Sequence, residues 1–500
     1  MNLTDLARSL DGKPAVIMGG SGERMSYAEL ERRSNQVGHL FRSRGLRPGD
    51  HIAVLMSNGL DLFPVVWAAQ RTGLLYTLVN WHLSGDEAAY IVADCGARLL
   101  VSSDDLEDLA AAAAGSAERL TASELVVSAA ALPGTPVPGE VEGYYMFYSS
   151  GTTGRPKGIM PELTGQPFGT GLNIDSMMRS AFGFSEASVY LSTGPLYHAA
   201  PLGWSIGTIR NGGTVVVMER FDAEQALALI GRYQVTHGQF VPTMFVRMLK
   251  LPPATRSGFD VSSLRVAVHA AAPVSVEVKE RMIDWFGPTL SEYYAGSEGT
   301  GFCMIDTPAW LTHKGSVGRP LRGEVHICSD DGTELPAGST GTIWFSGTQR
   351  FEYHNDPAKT ASAYNERGWN TLGDMGYVDD EGYLYLADRR TDLILSGGVN
   401  IYPREIEDVL ALHPAVADVA VFGVPDEEMG QRVHAVVQPA VAGSGSPSLG
   451  DELIGYCRSR IAHYKAPRSV SFASELPRTP SGKMLRRVLV DQYRSSGAGS

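Results

Sequence analysis

The residues with the plainest chemical potential are Ser149-Ser-Gly-Thr-Thr-Gly-Arg-Pro-Lys-Gly158, which follow the apolar and aromatic run at 144–148. Glycines let a backbone fold closely around an anion, hydroxyls and amide N–H groups donate hydrogen bonds, and Lys157 supplies positive charge. Ser149, Ser150, Gly151, Thr152, Thr153, Gly154 and Lys157 could therefore cradle a triphosphate. The segment is not a Walker A loop, which ends in Gly-Lys-Ser/Thr, because Pro156 precedes this lysine and Gly158 follows it. A P-loop kinase or GTPase is thereby disfavoured. The competing reading is an ordinary surface turn, and the position of so much Gly, Ser and Thr directly behind a strand argues against it.

Such a loop needs a scaffold. Residues 27–130 alternate helix-like stretches with short apolar runs at 51–56 and 97–102, and the alternation continues through 213–218 and 263–268. This pattern predicts an α/β fold with βαβ-type parallel sheets. Ser84-x-x-Glu87 reads as a capping box opening a helix, and the alanine-rich 109–117 as a surface helix with no assigned role. From 318 to 386 short strands punctuated by glycine, including 341–346 and 382–386, predict a small β-barrel-like subdomain. After Asp392 a compact α+β pattern begins, with a helix over 403–411 and strands over 416–423 and 432–438. The expected division is a large N-terminal domain at 1–390 and a small mobile C-terminal domain at 392–500, with 442–450 as a loop inside the latter.

Composition narrows the classes. At 500 residues and 43% hydrophobic the chain can fill more than one large core. A net charge of −13 disfavours a generic nucleic-acid binder, so polyphosphate would have to be held by local Lys, Arg, amides and a metal ion. The four cysteines, Cys95, Cys303, Cys328 and Cys457, form no C-x-x-C pair, so neither a disulfide framework nor a zinc cluster is indicated. No basic start with an apolar h-region and no bilayer-length apolar run occurs, so a cytoplasmic protein without a membrane span is expected.

A series of further segments stands in one order: Leu196-Tyr-His198, Ala270-Ala-Ala-Pro273, Tyr294-Ala-Gly-Ser-Glu298, Gly368-Trp-Asn-Thr-Leu-Gly-Asp374, Asp388-Arg-Arg-Thr-Asp392, Ser396-Gly-Gly-Val-Asn400 and Pro480-Ser-Gly-Lys483. With the loop at 149–158 these make nearly the whole chain resemble the adenylate-forming (ANL) superfamily, in its acyl-CoA synthetase branch. The resemblance implies ATP, Mg²⁺ and coenzyme A as cosubstrates and cofactor, with Lys483, Glu298 and Thr152 catalytic. Thr152 and Glu298 would hold magnesium and phosphate oxygens, a task for hard oxygen donors. Ala271, Ala272, Pro273 and Tyr294 would border the adenine, with Gly296 and Ser297 beside them. Asp374 would accept from the ribose hydroxyls, assisted by Arg389. Lys483 would bridge the carboxylate and the α-phosphate as pyrophosphate leaves.

For the second step, the resemblance places Gly397 and Gly398 against the pantetheine channel and Lys465 near the coenzyme's phosphates, an ordinary surface lysine being the equal alternative. The hinge falls at Thr391, where relatives usually carry Asp or Lys. Ser297 and Ala270 also depart from the common threonine and glycine, without removing the chemistry. His198, Trp204, Val241, Ala295 and Gly296 would line or gate the acyl pocket, whereas Phe240 and Phe245 read individually as core packing. The segment 197–204 contains no carboxylate to hold an ammonium group, which disfavours an amino-acid substrate and favours an apolar acid, linear, aryl or polycyclic. The competing functions are an acyl-AMP ligase that loads a carrier-protein thiol, disfavoured by the lack of a following carrier domain, then a luciferase-like oxygenase and a non-catalytic acyl or nucleotide sensor.

Overall fold

The computed structural model describes residues 2–149, 156–161, 163–272, 274–387, 394–396, 399–426, 428–478 and 484–495. Six strands lie side by side and parallel in the large lobe, in the order Leu290–Ala295, Val266–His269, His237–Phe240, Val189–Ser192, Thr214–Val217 and Pro14–Met18. Thr214–Val217 is buried at every residue, as expected of a strand with helices on both faces. Past Leu290–Ala295 the path turns antiparallel through Phe302–Asp306 and Ser316–Arg322. It then runs into the glycine-punctuated strands Leu384–Ala387, Met375–Val378, Gly341–Ser346 and Glu324–Cys328, thirteen strands in all with the edge strand Arg24–Ser26. Gly318 lets two of these strands approach closely: its φ is 95°, and a Cβ there would stand 1.9 Å from the Met304 carbonyl oxygen.

A second, parallel sheet orders Glu118–Thr121, Leu99–Ser102, His51–Leu55, Leu75–Leu78 and Tyr144–Tyr145. The aromatic run at 144–148 is not one strand. Tyr144–Tyr145 pairs with Leu75–Leu78, whereas Phe147–Ser149 leaves that sheet to form an antiparallel hairpin with Lys157–Met160. Met146 serves both sides of the break: its N–H donates to the Tyr76 carbonyl at 2.9 Å and its carbonyl accepts from Thr77 Oγ1 at 2.9 Å.

Ser84 and Glu87 form the expected capping box, and a second one joins Thr121 to Glu124. The small C-terminal sheet packs Val416–Asp426 against Gly430–Pro439, with helix Pro403–Ala411 across it. The stretch 442–450 is not wholly a loop. Ser446 caps helix Pro447–Arg458 by accepting from the Leu449 N–H at 3.2 Å, and Pro447 takes the first helical turn, where it sacrifices no hydrogen bond. Among the described residues no helix is long and apolar enough to cross a membrane.

Candidate active site

The parallel strands run in one direction, so their carboxyl ends share one edge of the sheet, the edge at which α/β sheets bind ligands. Four neighbouring strands deliver candidate residues there. Leu290–Ala295 ends in Gly296, Ser297 and Glu298; Val266–His269 leads into Ala271 and Ala272; His237–Phe240 leads to Val241; and the strand Val189–Ser192 leads to His198. Behind them Lys279 Nζ meets Glu292 Oε2 at 2.6 Å, both buried, which ties helix Val276–Phe286 to the strand that carries Tyr294. Ala271 is exposed and left-handed at φ 71°, a conformation that costs an alanine about 1 kcal/mol.

Three loops converge beside this edge. Tyr294 donates its hydroxyl to Asp374 Oδ2 at 2.8 Å, which joins the strand expected to border the adenine to the expected ribose acceptor. The Phe147–Ser149 and Lys157–Met160 hairpin is extended by a third strand, Glu352–Tyr353. Tyr353 then donates to Glu298 Oε1 at 3.0 Å, so the arms of the Gly/Ser/Thr loop and the Glu298 turn meet through a single phenol. A Cβ at Gly296 would stand 2.8 Å from Glu298 Oε2, so this glycine leaves the carboxylate its place. A hard carboxylate oxygen beside a lysine-bearing hairpin fits a magnesium–triphosphate pair in its donor chemistry.

Lys157 forms an ion pair with Asp356 Oδ2 at 2.6 Å, and this hydrogen bond holds the ammonium above its ordinary pKa and the carboxyl below its own. Neither Tyr353 nor Asp356 belongs to the motifs that the sequence displays. Asn355-Asp356-Pro357 does carry a visible helix-start signal, since Asp356 accepts from the Lys359 N–H at 2.9 Å ahead of helix Pro357–Ser362. Nothing local marks Tyr353.

On the expected acyl side, His198 precedes helix Ala199–Arg210 without capping it, and its buried Nε2 has no hydrogen-bond partner among the described residues. Burial pushes its pKa down to about 4, so the ring is neutral near pH 7 and suits an apolar wall better than an ion pair. Among the described residues no group of three or more His, Cys, Asp or Glu side chains could hold a metal. Trp204 is only 2% exposed and lies in the core. Its ring stacks on Tyr293 at 6.1 Å, and Tyr293 stacks in turn on Phe302 at 5.0 Å, so Trp204 backs an aromatic layer. Val241 is half-buried at the start of helix Pro242–Leu249, while Phe240 and Phe245 are core residues.

Lys465 is held by both Glu405 oxygens, at 2.7 and 2.6 Å, and would have to leave them to meet a coenzyme phosphate. Ser150, Gly151, Thr152, Thr153, Gly154, Pro273, Arg389, Thr391, Gly397, Gly398 and Lys483 lie outside the described residues, and of Ser149 only the backbone is described.

The family model described as AMP-binding enzyme matches residues 4–352, and that of the AMP-binding enzyme C-terminal domain matches 405–483. A feruloyl-CoA synthase of an Amycolatopsis species is 36% identical over 484 residues, 96% of each chain. A fatty acid–[acyl-carrier-protein] ligase of Streptomyces coeruleorubidus is 32% identical, covering 97% of this chain and 94% of its own. The structure of o-succinylbenzoate CoA synthetase from Bacillus subtilis, in complex with its acyl-adenylate intermediate, superposes with a TM-score of 0.82 at 28% identity over 97% of both chains. Motif order, strand-end geometry and full-length similarity agree: the chain belongs to the AMP-binding enzyme family, in its branch of AMP-forming acid–CoA ligases.

Proposed function

We propose that the enzyme activates an apolar carboxylic acid with ATP to an acyl-adenylate and pyrophosphate, and then transfers the acyl group to the thiol of coenzyme A. The observation that carries this reading is the Tyr353–Glu298 hydrogen bond, which joins the Gly/Ser/Thr hairpin to a carboxylate at the carboxyl edge of the parallel sheet. A carboxylate resists attack by a thiol because oxide is a poor leaving group, and AMP solves that. Joining two anions demands that their repulsion be neutralised, a task for Lys157, Lys483, the loop amides around Thr152 and a magnesium ion held by Thr152 and Glu298. The nucleoside would lie along Ala271 to Pro273 and Tyr294, with its ribose on Asp374 and Arg389.

The neutral His198, Val241 and the small Ala295 and Gly296 support an apolar acid, with room for a bulky one. Domains at 1–390 and 392–500 turning about Thr391 would withdraw Lys483 and bring Gly397 and Gly398 to the thiol arm, because both cannot occupy the acyl carbon's approach. The 32% identity to a fatty acid–carrier-protein ligase supports a second reading in which a carrier thiol replaces coenzyme A.

A panel of aryl, linear and polycyclic acids, scored by acid-dependent exchange of labelled pyrophosphate into ATP, tests the first step. Exchange with no apolar acid, or only with amino acids, overturns the reading. Supplying coenzyme A or holo carrier protein to preformed adenylate separates the two acceptors. Asp374→Ala should raise KM for ATP by about tenfold, the loss of a hydrogen bond to a charged acceptor, while KM for the acid stays put. An unchanged KM for ATP removes Asp374 from the ribose site.

A further inference from the structure

We infer that Asp356 is a positioning residue for adenylation: its carboxylate holds the Lys157 ammonium before nucleotide enters and receives it back as pyrophosphate leaves. The inference rests on the phosphate-loop reading proposed above.

Asp356 sits in a turn that touches both the Glu298 turn and the hairpin that carries Lys157. Tyr353 holds Glu298. The His354 N–H donates to the Gly158 carbonyl at 2.8 Å, fixing the turn to the second arm of the hairpin. His354 Nε2 lies 2.9 Å from the Asp94 carbonyl oxygen, and Asn355 Nδ2 donates to the same oxygen at 3.3 Å, so the turn is anchored to the end of helix Gly85–Asp94. Asp356 itself is used twice: Oδ1 caps helix Pro357–Ser362 and Oδ2 accepts from Lys157. The cap fixes the carboxylate's orientation, which leaves one oxygen committed to the lysine.

The pair remains open to solvent, with side-chain exposures of 34% for Lys157 and 23% for Asp356, so a dissolved polyanion can compete for the ammonium. A partly exposed pair contributes little net stability, which makes such an exchange shallow enough to reverse. A carboxylate that holds the ammonium competes with phosphate for it, and it should therefore weaken the grip on ATP and on pyrophosphate alike.

Asp356→Asn tests this, because asparagine caps helices as well as aspartate does while removing the charge. Titration calorimetry with magnesium pyrophosphate and with ATP should show both dissociation constants falling by about 3- to 10-fold, and pyrophosphate should inhibit the forward reaction at correspondingly lower concentration. In a Lys157→Met background the same substitution should change either constant by less than about twofold. Unchanged or weaker binding in an Asp356→Asn protein that melts at the parent's temperature overturns the role of Asp356. Lys157→Met alone must weaken ATP binding. If it does not, the phosphate-loop reading itself has failed, whereas a weakened Lys157→Met with a silent Asp356→Asn defeats only the exchange.

Discussion

Replacing Lys483 by alanine should lower acid-dependent exchange of pyrophosphate into ATP by about 10³-fold and leave the reaction of supplied acyl-adenylate with coenzyme A within a few-fold of the parent. The asymmetry follows from charge. Adenylation presses a carboxylate against a polyphosphate and needs a cation between them as pyrophosphate departs, whereas thiolysis begins after those charges have separated. The described residues on either side of 479–483 are tied to the body of the small lobe. Arg478 Nη2 donates to Asp418 Oδ1 at 2.6 Å, Arg486 Nη2 donates to Glu407 Oε2 at 2.6 Å, and Arg478 bridges to Met484. The Leu485 N–H closes the same stem on the Pro477 carbonyl at 2.9 Å. Asp418 lies on the central strand Val416–Asp426 and Glu407 on helix Pro403–Ala411, so both ends of the segment are referred to the core of that lobe. Exchange at the parent's rate in Lys483→Ala would remove this lysine from the first step; loss of both half-reactions would show a folding defect instead.

Much of this scaffold is legible in the sequence because it rests on local signals. Val215, Val216 and Val217 announce a strand buried on both faces, Ser84 and Glu87 announce a helix start, and Pro403 with the apolar spacing of Ile406 and Leu410 announces the helix Pro403–Ala411. The run at 144–148 illustrates where such signals end. Tyr, Met and Phe are equally good in either sheet, and the break at Met146 is set by Tyr76 and Thr77, far away in sequence. The active-site turn is illegible for the same reason. Tyr353 finds Glu298 across 55 residues, and Asp356 finds Lys157 across a larger gap, so no periodicity or spacing carries either contact. Trp204 shows the converse: its packing against Phe182, Phe184, Tyr190 and Tyr293 buries it in the interior, and its place in a motif-rich segment announces none of those contacts.

Arg210 is the strongest example of chemistry hidden by an ordinary-looking residue, and Arg210→Met should cost about 3–5 kcal/mol of stability. Its side chain is 1% exposed at the end of helix Ala199–Arg210. The guanidinium donates to Glu142 with two nitrogens and to Gln70 Oε1 at 2.6 Å, lies 3.6 Å from Asp175, and faces the Trp67 ring at 5.1 Å. Glu142 and Gln70 border the sheet that carries Tyr144–Tyr145, whereas Asp175 and Arg210 belong to helices beside the larger sheet, so one cation joins the two halves of the large lobe. Methionine matches much of the volume and leaves two carboxylates buried without their counter-ion, which is the expensive part of the change. Lysine would not rescue it, because an ammonium cannot span Glu142, Gln70 and Asp175 as a planar fork does. The same helix begins beside His198, so loosening its far end should also relax the proposed acyl wall and broaden the range of acids accepted. Urea unfolding measures the cost, and a loss below about 1 kcal/mol would show that the network behaves as a surface pair. Adding Glu142→Gln to Arg210→Met should recover part of the loss, because it removes the stranded charge rather than restoring the contact.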